Sequence, residues 1–301
     1  MTLYNQKSSN IRRTWFLFVI FLIIVIGLGW LFAQIYNSPL ILYFAVIFSI
    51  LMNVVAYWYS DKIVLKMAGA IPVEKKDSPE LYNVVENLAI TAGLPTPKIY
   101  LIPEAQPNAF ATGRDPQHAV VAVTAGLLKK LDRSELEGVL AHELSHIGNR
   151  DMLFSTVIVI LVGFISILSD IFLRSSLFGG FRRSRDREEG QAGTIFMLIG
   201  LILAILAPLA AVLMQLAISR RRESLADVSG ALLTRYPEGL ARALEKISSD
   251  STPLRTANNT TAHLWIDDPF RGKPKTSWLH KLFLTHPPIE ERIATLRAMK
   301  I

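Results

Sequence analysis

The stretch Val139–Asp151, VLAHELSHIGNRD, holds the densest group of residues able to do chemistry. His142-Glu143-Leu144-Ser145-His146 is an H-E-x-x-H pattern. Leu136, Leu140, Leu144 and Ile147 recur at three- and four-residue steps, which predicts a helix. Residues four apart share a helix face, so both imidazoles can point at one metal ion. Glu143 lies one residue along, near enough to polarise a metal-bound water without being a ligand. Two histidines, one further protein ligand and an open position for water form the zinc hydrolase arrangement. The bland alternative is a chance match in a buried helix. The flanks argue against it, since Ala141 and Ile147 are uncharged and no proline interrupts.

The third ligand must be His or a carboxylate, because the 301 residues include no Cys. A third histidine six residues beyond His146 is missing, since Met152 stands there. The downstream acids are Glu188, Glu189, Glu223, Glu238, Glu245, Glu290 and Glu291. Glu223 leads, because the run Arg222–Asp227 (RESLAD) places Asp227 four residues on. Asp227 can hold a ligating imidazole from behind and fix its tautomer. The competing reading is an exposed acidic pair among arginines. Beyond the metal, His286 is a candidate oxyanion donor and Asn108 a candidate contact to the substrate backbone, weighed against a capping residue and an Asx turn. The strand around Val121, Val120–Val123, is either an open edge for an extended peptide or an ordinary core strand. His118, His263 and His280 are read as structural or surface residues.

These groups need elements to carry them, and the composition says where those elements lie. Hydrophobic residues make up 51% and mean hydropathy is +0.34, too apolar for an ordinary soluble protein. Thr14 to Ser60 holds no Asp, Glu, Lys or Arg. At about 20 apolar residues per span, this run predicts two membrane helices, Trp15–Ala33 and Leu40–Trp58, turning at Gln34–Pro39. A cleaved signal peptide is the alternative for the first, but its apolar stretch is too long and no small-residue cleavage site follows. Asp151 and Asp170 bracket a third apolar segment, and Gly190–Ser219 is a fourth. The polar stretches between are the catalytic parts. In the first, Asp77–Glu80 starts a helix with Leu81, Val84, Val85 and Leu88 on one face. Lys98–Pro103 and His118–Thr124 read as strands joined by a turn-rich link, Pro107–Arg114, and Asp132–Ser134 initiates the motif helix. In the second, Tyr236–Ile247 and Ile289–Met299 read as helices around a loop-like Ser249–Ala262. The expected division is 1–58 (span hairpin), 59–151 (catalytic, first part), 152–219 (second hairpin) and 220–301 (catalytic, second part).

Together, HELSH and RESLAD flanking a hydrophobic hairpin resemble the HtpX-type integral-membrane zinc metalloproteases, relatives of the prenyl-CAAX endopeptidases. PNAFATG (Pro107–Gly113), TAGLL (Thr124–Leu128), AHLWIDDPF (Ala262–Phe270) and THPPIEERI (Thr285–Ile293) extend the likeness along nearly the whole chain. The resemblance implies a mainly α membrane protein. Four transmembrane helices would carry a zincin-like α+β catalytic domain on the cytosolic side of a bacterial inner membrane. It implies one zinc held by His142, His146 and Glu223, with Glu143 catalytic, and a part in quality control of damaged membrane proteins under stress. The Arg174–Gly193 loop and Ser249–Thr261 carry no recognised pattern.

The net charge of +7 is read as basic segments beside the membrane, with no nucleic-acid partner, since no such motif is present. Lys7, Arg12, Arg13, Lys62, Lys66 and Arg220–Arg222 flank the spans on the side of the site, which favours the cytosol. The five arginines of the 174–193 loop, facing outward, run against that rule. His146 and Glu223 lie so few residues from the spans that the metal belongs ~6–11 Å from the helix ends. The expected substrates are loops of membrane proteins and unfolded polypeptides. A membrane scaffold with a structural zinc is the reading from another class, and the intact Glu143 argues against it. A transporter is disfavoured by spans without embedded charge.

Overall fold

The computed structural model describes residues 3–35, 37–161, 202, 220–256, 261, 264–267 and 288–299. Two long helices come first, α1 (Leu3–Ile35) and α2 (Pro39–Trp58). Both contain stretches long and apolar enough to cross a membrane, Ser8–Gly27 and Pro39–Trp58, of which only 22% and 17% is buried. Large apolar side chains such as Phe16, Ile23, Phe44 and Ile47 face outward, the reverse of a soluble core helix. The pair packs closely where Gly29 leaves no room for a Cβ against Ala45. The Asn53 amide also donates to Phe18 O at 3.2 Å. Helix α1 starts well before the predicted span, because nothing between residues 3 and 14 breaks it. The Asn10 amide donates to Asn149 O at 3.1 Å, tying this polar extension to the motif helix.

After α3 (Ser60–Met67) a four-stranded sheet forms in the order β1 (Ile71–Pro72), β2 (Lys98–Ile102), β4 (Val120–Thr124), β3 (Ala109–Thr112). β2 and β4 are parallel, with Tyr100 opposite Ala122, while β3 runs antiparallel to β4 with Ala111 opposite Val121. Two expectations are corrected here. The link Pro107–Arg114 is not merely turn-rich but contains the edge strand β3. Val120–Val123 is not an open edge, because β4 is paired on both sides and Val121 is fully buried. A run buried on both faces reads as continuous apolar sequence, as VVAVT does. Val121 and Val123 join the core with α4 (Pro79–Thr91) and the motif helix; Val120 and Ala122 face Phe110 and Trp265 on the other side.

A six-residue helix, α5 (Ala125–Lys130), leads into α6 (Arg133–Asn149), which carries the motif. Asp132 caps α6 in a reciprocal box. Its carboxylate accepts from Glu135 N at 3.0 Å, and the Glu135 carboxylate accepts from Asp132 N at 2.9 Å. Helix α7 follows, described over Met152–Leu161. The rest of the third predicted span, nearly all of the fourth, the Arg174–Gly193 loop, His263, His280 and His286 lie outside the described residues. Beyond them come α8 (Arg220–Thr234), α9 (Pro237–Ser248) and α10 (Ile289–Ala298). Helices α8 and α9 pack on α6, and α10 packs on α9. Gly230 sets the α6–α8 distance, since a Cβ there would come 2.8 Å from His142 N. Glu223, Asp227 and Gly230 recur at four and three residues, so one face of α8 carries both acids to the histidines.

Candidate active site

One helical turn separates His142 from His146, and their Nε2 atoms converge to 3.1 Å. Glu223 reaches across from α8, with Oε2 3.7 Å from His142 Nε2 and Oε1 3.7 Å from His146 Nε2. A tetrahedral zinc with bonds of ~2.0–2.1 Å sets its ligand atoms roughly 3.3–3.4 Å apart. The triangle therefore has the right size for that ion, and among the described residues His142, His146 and Glu223 form the group able to hold a metal.

Each imidazole is held from behind by a carboxylate. His142 Nδ1 lies 2.9 Å from Asp227 Oδ1, an off-line approach that is electrostatic as much as a hydrogen bond. His146 Nδ1 lies 3.1 and 3.2 Å from the two Asp151 oxygens. Such contacts leave Nε2 to the metal and fix the ring. Burial works against a charged His146, but Asp151 and Glu223 outweigh it and push its pKa up to about 10. A metal ion must displace that proton to bind.

Asp227 is in turn clamped by Arg292 of α10, whose Nε and Nη2 donate to its two oxygens at 2.8 and 2.7 Å. Burial alone would raise the Asp227 pKa; the Arg292 charge, with hydrogen bonds from His142 and Arg292, instead holds it well below the usual carboxylate range. The remaining Arg292 nitrogen donates to Ile266 O at 3.0 Å. Arg222, buried over the Phe154 ring at 4.9 Å, adds positive charge near Asp151 and Glu223.

Glu143 is buried beside the triangle. Burial pushes its carboxyl above the usual carboxylate range and Glu223 adds to this, while the two imidazoles and a hydrogen bond from Ala111 N–H oppose it. A carboxylate placed and raised in this way is suited to take and return a proton near neutral pH. A cleft with room for about one water, 30 Å³, lies between these side chains, β3 and Leu264–Ile266.

Asn108 has a different role from the one expected. It is fully buried, its amide donates to Asp267 O at 3.1 Å, and its carbonyl accepts from Ala109 N at 3.1 Å. It pins the Leu264–Asp267 segment to the start of β3 and is buried away from the surface a substrate could reach. Three participants escaped the sequence reading. Asp151 sits just past the helix cap, where the left-handed Arg150 (φ 54°) turns the chain back toward His146. Arg292 lies within THPPIEERI. The third is the outer edge of β3, where Ala109 O accepts from Ile266 N at 3.0 Å and Ala111 N–H faces Glu143. Asp151→Asn should lower metal affinity about 10–100-fold with the fold intact, because the ring loses its charged support. Titration against a competing chelator measures this.

Residues 75–300 match the sequence pattern of peptidase family M48. A protease HtpX homolog of Caldanaerobacter subterraneus subsp. tengcongensis is 48% identical over 302 aligned residues, covering 100% of this chain and 99% of that one. One from Thermococcus kodakarensis is 49% identical over 287, covering 95% and 94%. The crystal structure of S. mikatae Ste24p shares the fold, with a TM-score of 0.50 and 22% identity, over 90% of this chain and 62% of its own length. Kinship over the whole chain, with a group able to hold a metal in place, settles the assignment: the chain belongs to peptidase family M48 and is a metalloprotease of the HtpX type.

Proposed function

We propose that this protein is a zinc-dependent endopeptidase anchored in the bacterial inner membrane. It opens to the cytosol and cleaves cytosolic loops of misfolded or damaged membrane proteins and unfolded polypeptides. The observation that carries the reading is the triangle of His142, His146 and Glu223, sized for zinc, with a buried Glu143 beside it. One zinc per chain, when bound, acidifies water and polarises the scissile carbonyl. Glu143 takes the proton of the attacking water and delivers it to the leaving amine nitrogen. Asp227 and Asp151 keep the two rings aimed throughout. Past the Ile266 contact at Ala109, the outer edge of β3 toward Thr112 suits an extended peptide, which adds to a sheet through its backbone whatever its side chains. A preference for unfolded segments follows, since a folded chain has no free backbone to offer.

Membrane placement is supported by the outward apolar faces of α1 and α2. The cytosolic side is supported by the basic residues near the span ends on the side of the site. Glu143 tells against a scaffold with a structural zinc, which needs no buried base. The test is metal removal. The full chain in detergent, stripped by a chelator, should stop cutting denatured casein and recover when about one equivalent of zinc per chain returns. Undiminished cutting by the stripped protein would sink the reading.

A further inference from the structure

Apart from the active site, a cavity of about 280 Å³ opens where the first two helices meet the catalytic part. Its apolar wall includes Trp15, Phe18, Tyr57 and Leu153, and its polar end is formed by Arg114, Asp115, Gln117 and Arg150. The wall is an aromatic cluster, with Trp15 edge-on to Phe18 at 5.8 Å and stacked near Tyr57 at 6.5 Å. The two arginines differ. Arg114 already has partners: its guanidinium lies over the Trp58 ring at 4.5 Å and its Nε is 3.4 Å from Asp115. Asp115 also takes His118 Nδ1 at 2.7 Å, so its charge is shared. Arg150 makes no ion pair among the described residues, and its Nε is buried without a hydrogen-bond partner. An anion in the cavity would give this unpaired guanidinium charge a counter-ion.

We propose that this cavity binds the phosphate of an anionic phospholipid headgroup, with an acyl chain lying against the wall of Trp15, Phe18 and Tyr57. The proposal rests on the membrane placement of α1 and α2. Depth supports a lipid: Trp15 in the wall and Trp58 under Arg114 are 60% and 49% exposed. Exposed aromatic side chains of this kind settle at the level of the headgroups. Arginine forks match phosphate oxygens two at a time, and anionic lipid draws basic residues to the surface. A site cationic at one end and aromatic at the other fits an amphiphile better than a free anion.

The position gives the ligand leverage on the metal site. Arg150 stands between Asn149, whose carbonyl takes the Asn10 amide, and Asp151, which holds His146. A bound phosphate therefore braces the turn that aims His146.

The test uses the full chain in nanodiscs of phosphatidylcholine with or without phosphatidylglycerol, read by native mass spectrometry of retained lipid and by the thermal midpoint. Phosphatidylglycerol should be retained with roughly fivefold or greater preference and should raise the midpoint. Arg150→Gln should abolish the preference and Arg114→Gln weaken it. Arg133→Gln, which removes an exposed charge on α6, should leave it intact. Equal retention by Arg150→Gln would overturn the proposal. If that variant fails to fold, the native chain decides: no preference between the two lipids overturns it. Stabilisation by millimolar glycerol phosphate equal to that by the lipid would also overturn it, showing a site for soluble phosphate. Flotation with neutral phosphatidylcholine vesicles checks the membrane placement separately, because it needs no anionic lipid.

Discussion

Glu143→Gln leaves the metal bound and removes peptide hydrolysis. The substitution keeps the shape of the side chain and leaves His142, His146 and Glu223 unchanged. An amide has no basicity to take a proton from water, and general-base loss costs about 10²–10⁴ in rate. The Ala111 N–H that faces the carboxylate can still donate to the Gln oxygen, so the local structure has no reason to shift. Metal analysis and casein cleavage on one preparation read the two halves of the expectation. Native-like cleavage would remove Glu143 from its role, and loss of the metal would mean that the carboxylate helps to hold the ion.

Arg292→Leu has the largest expected effect on stability. It strands the Asp227 carboxylate in a site where both partners are 3% exposed or less at the side chain. Breaking a buried ion pair from one side costs roughly 3–5 kcal/mol, most of it the uncompensated charge. His142 loses its fixed support as well, so metal affinity should fall with stability. Denaturation in detergent and metal titration measure these effects. The double variant Arg292→Leu with Asp227→Asn should recover much of the stability, because no charge is left unpaired. A single variant as stable as the native chain would mean that water reaches Asp227.

What could be read in the sequence was what is local. The histidines and Glu143 were legible because their spacing is that of one helix turn, and the capping residues before Glu135 mark where that helix begins. Glu223 was legible because its acid companion, Asp227, sits on the same face. The strand at Ala109–Thr112 was not, since Ala-Phe-Ala-Thr lacks a β-branched run and is bounded by Pro107 and Gly113. It is a strand only because Val120–Val123 lies beside it. The same pairing moved the edge of the sheet from Val121 to β3. Asp151 read as the boundary of an apolar segment, because its reach to His146 depends on a left-handed arginine that no spacing rule foresees. Arg292 was hidden for a plainer reason: its partner Asp227 is far away in the chain.

The metal triangle draws two corners from α6 and one from α8, with the third and fourth apolar segments of the sequence between them. A polypeptide emerging from the ribosome therefore displays its histidines and its base long before Glu223 exists. Until α8 is made and laid against His142, there is no complete site. A chain still being made therefore cannot cut itself or its neighbours until Glu223 has emerged and packed.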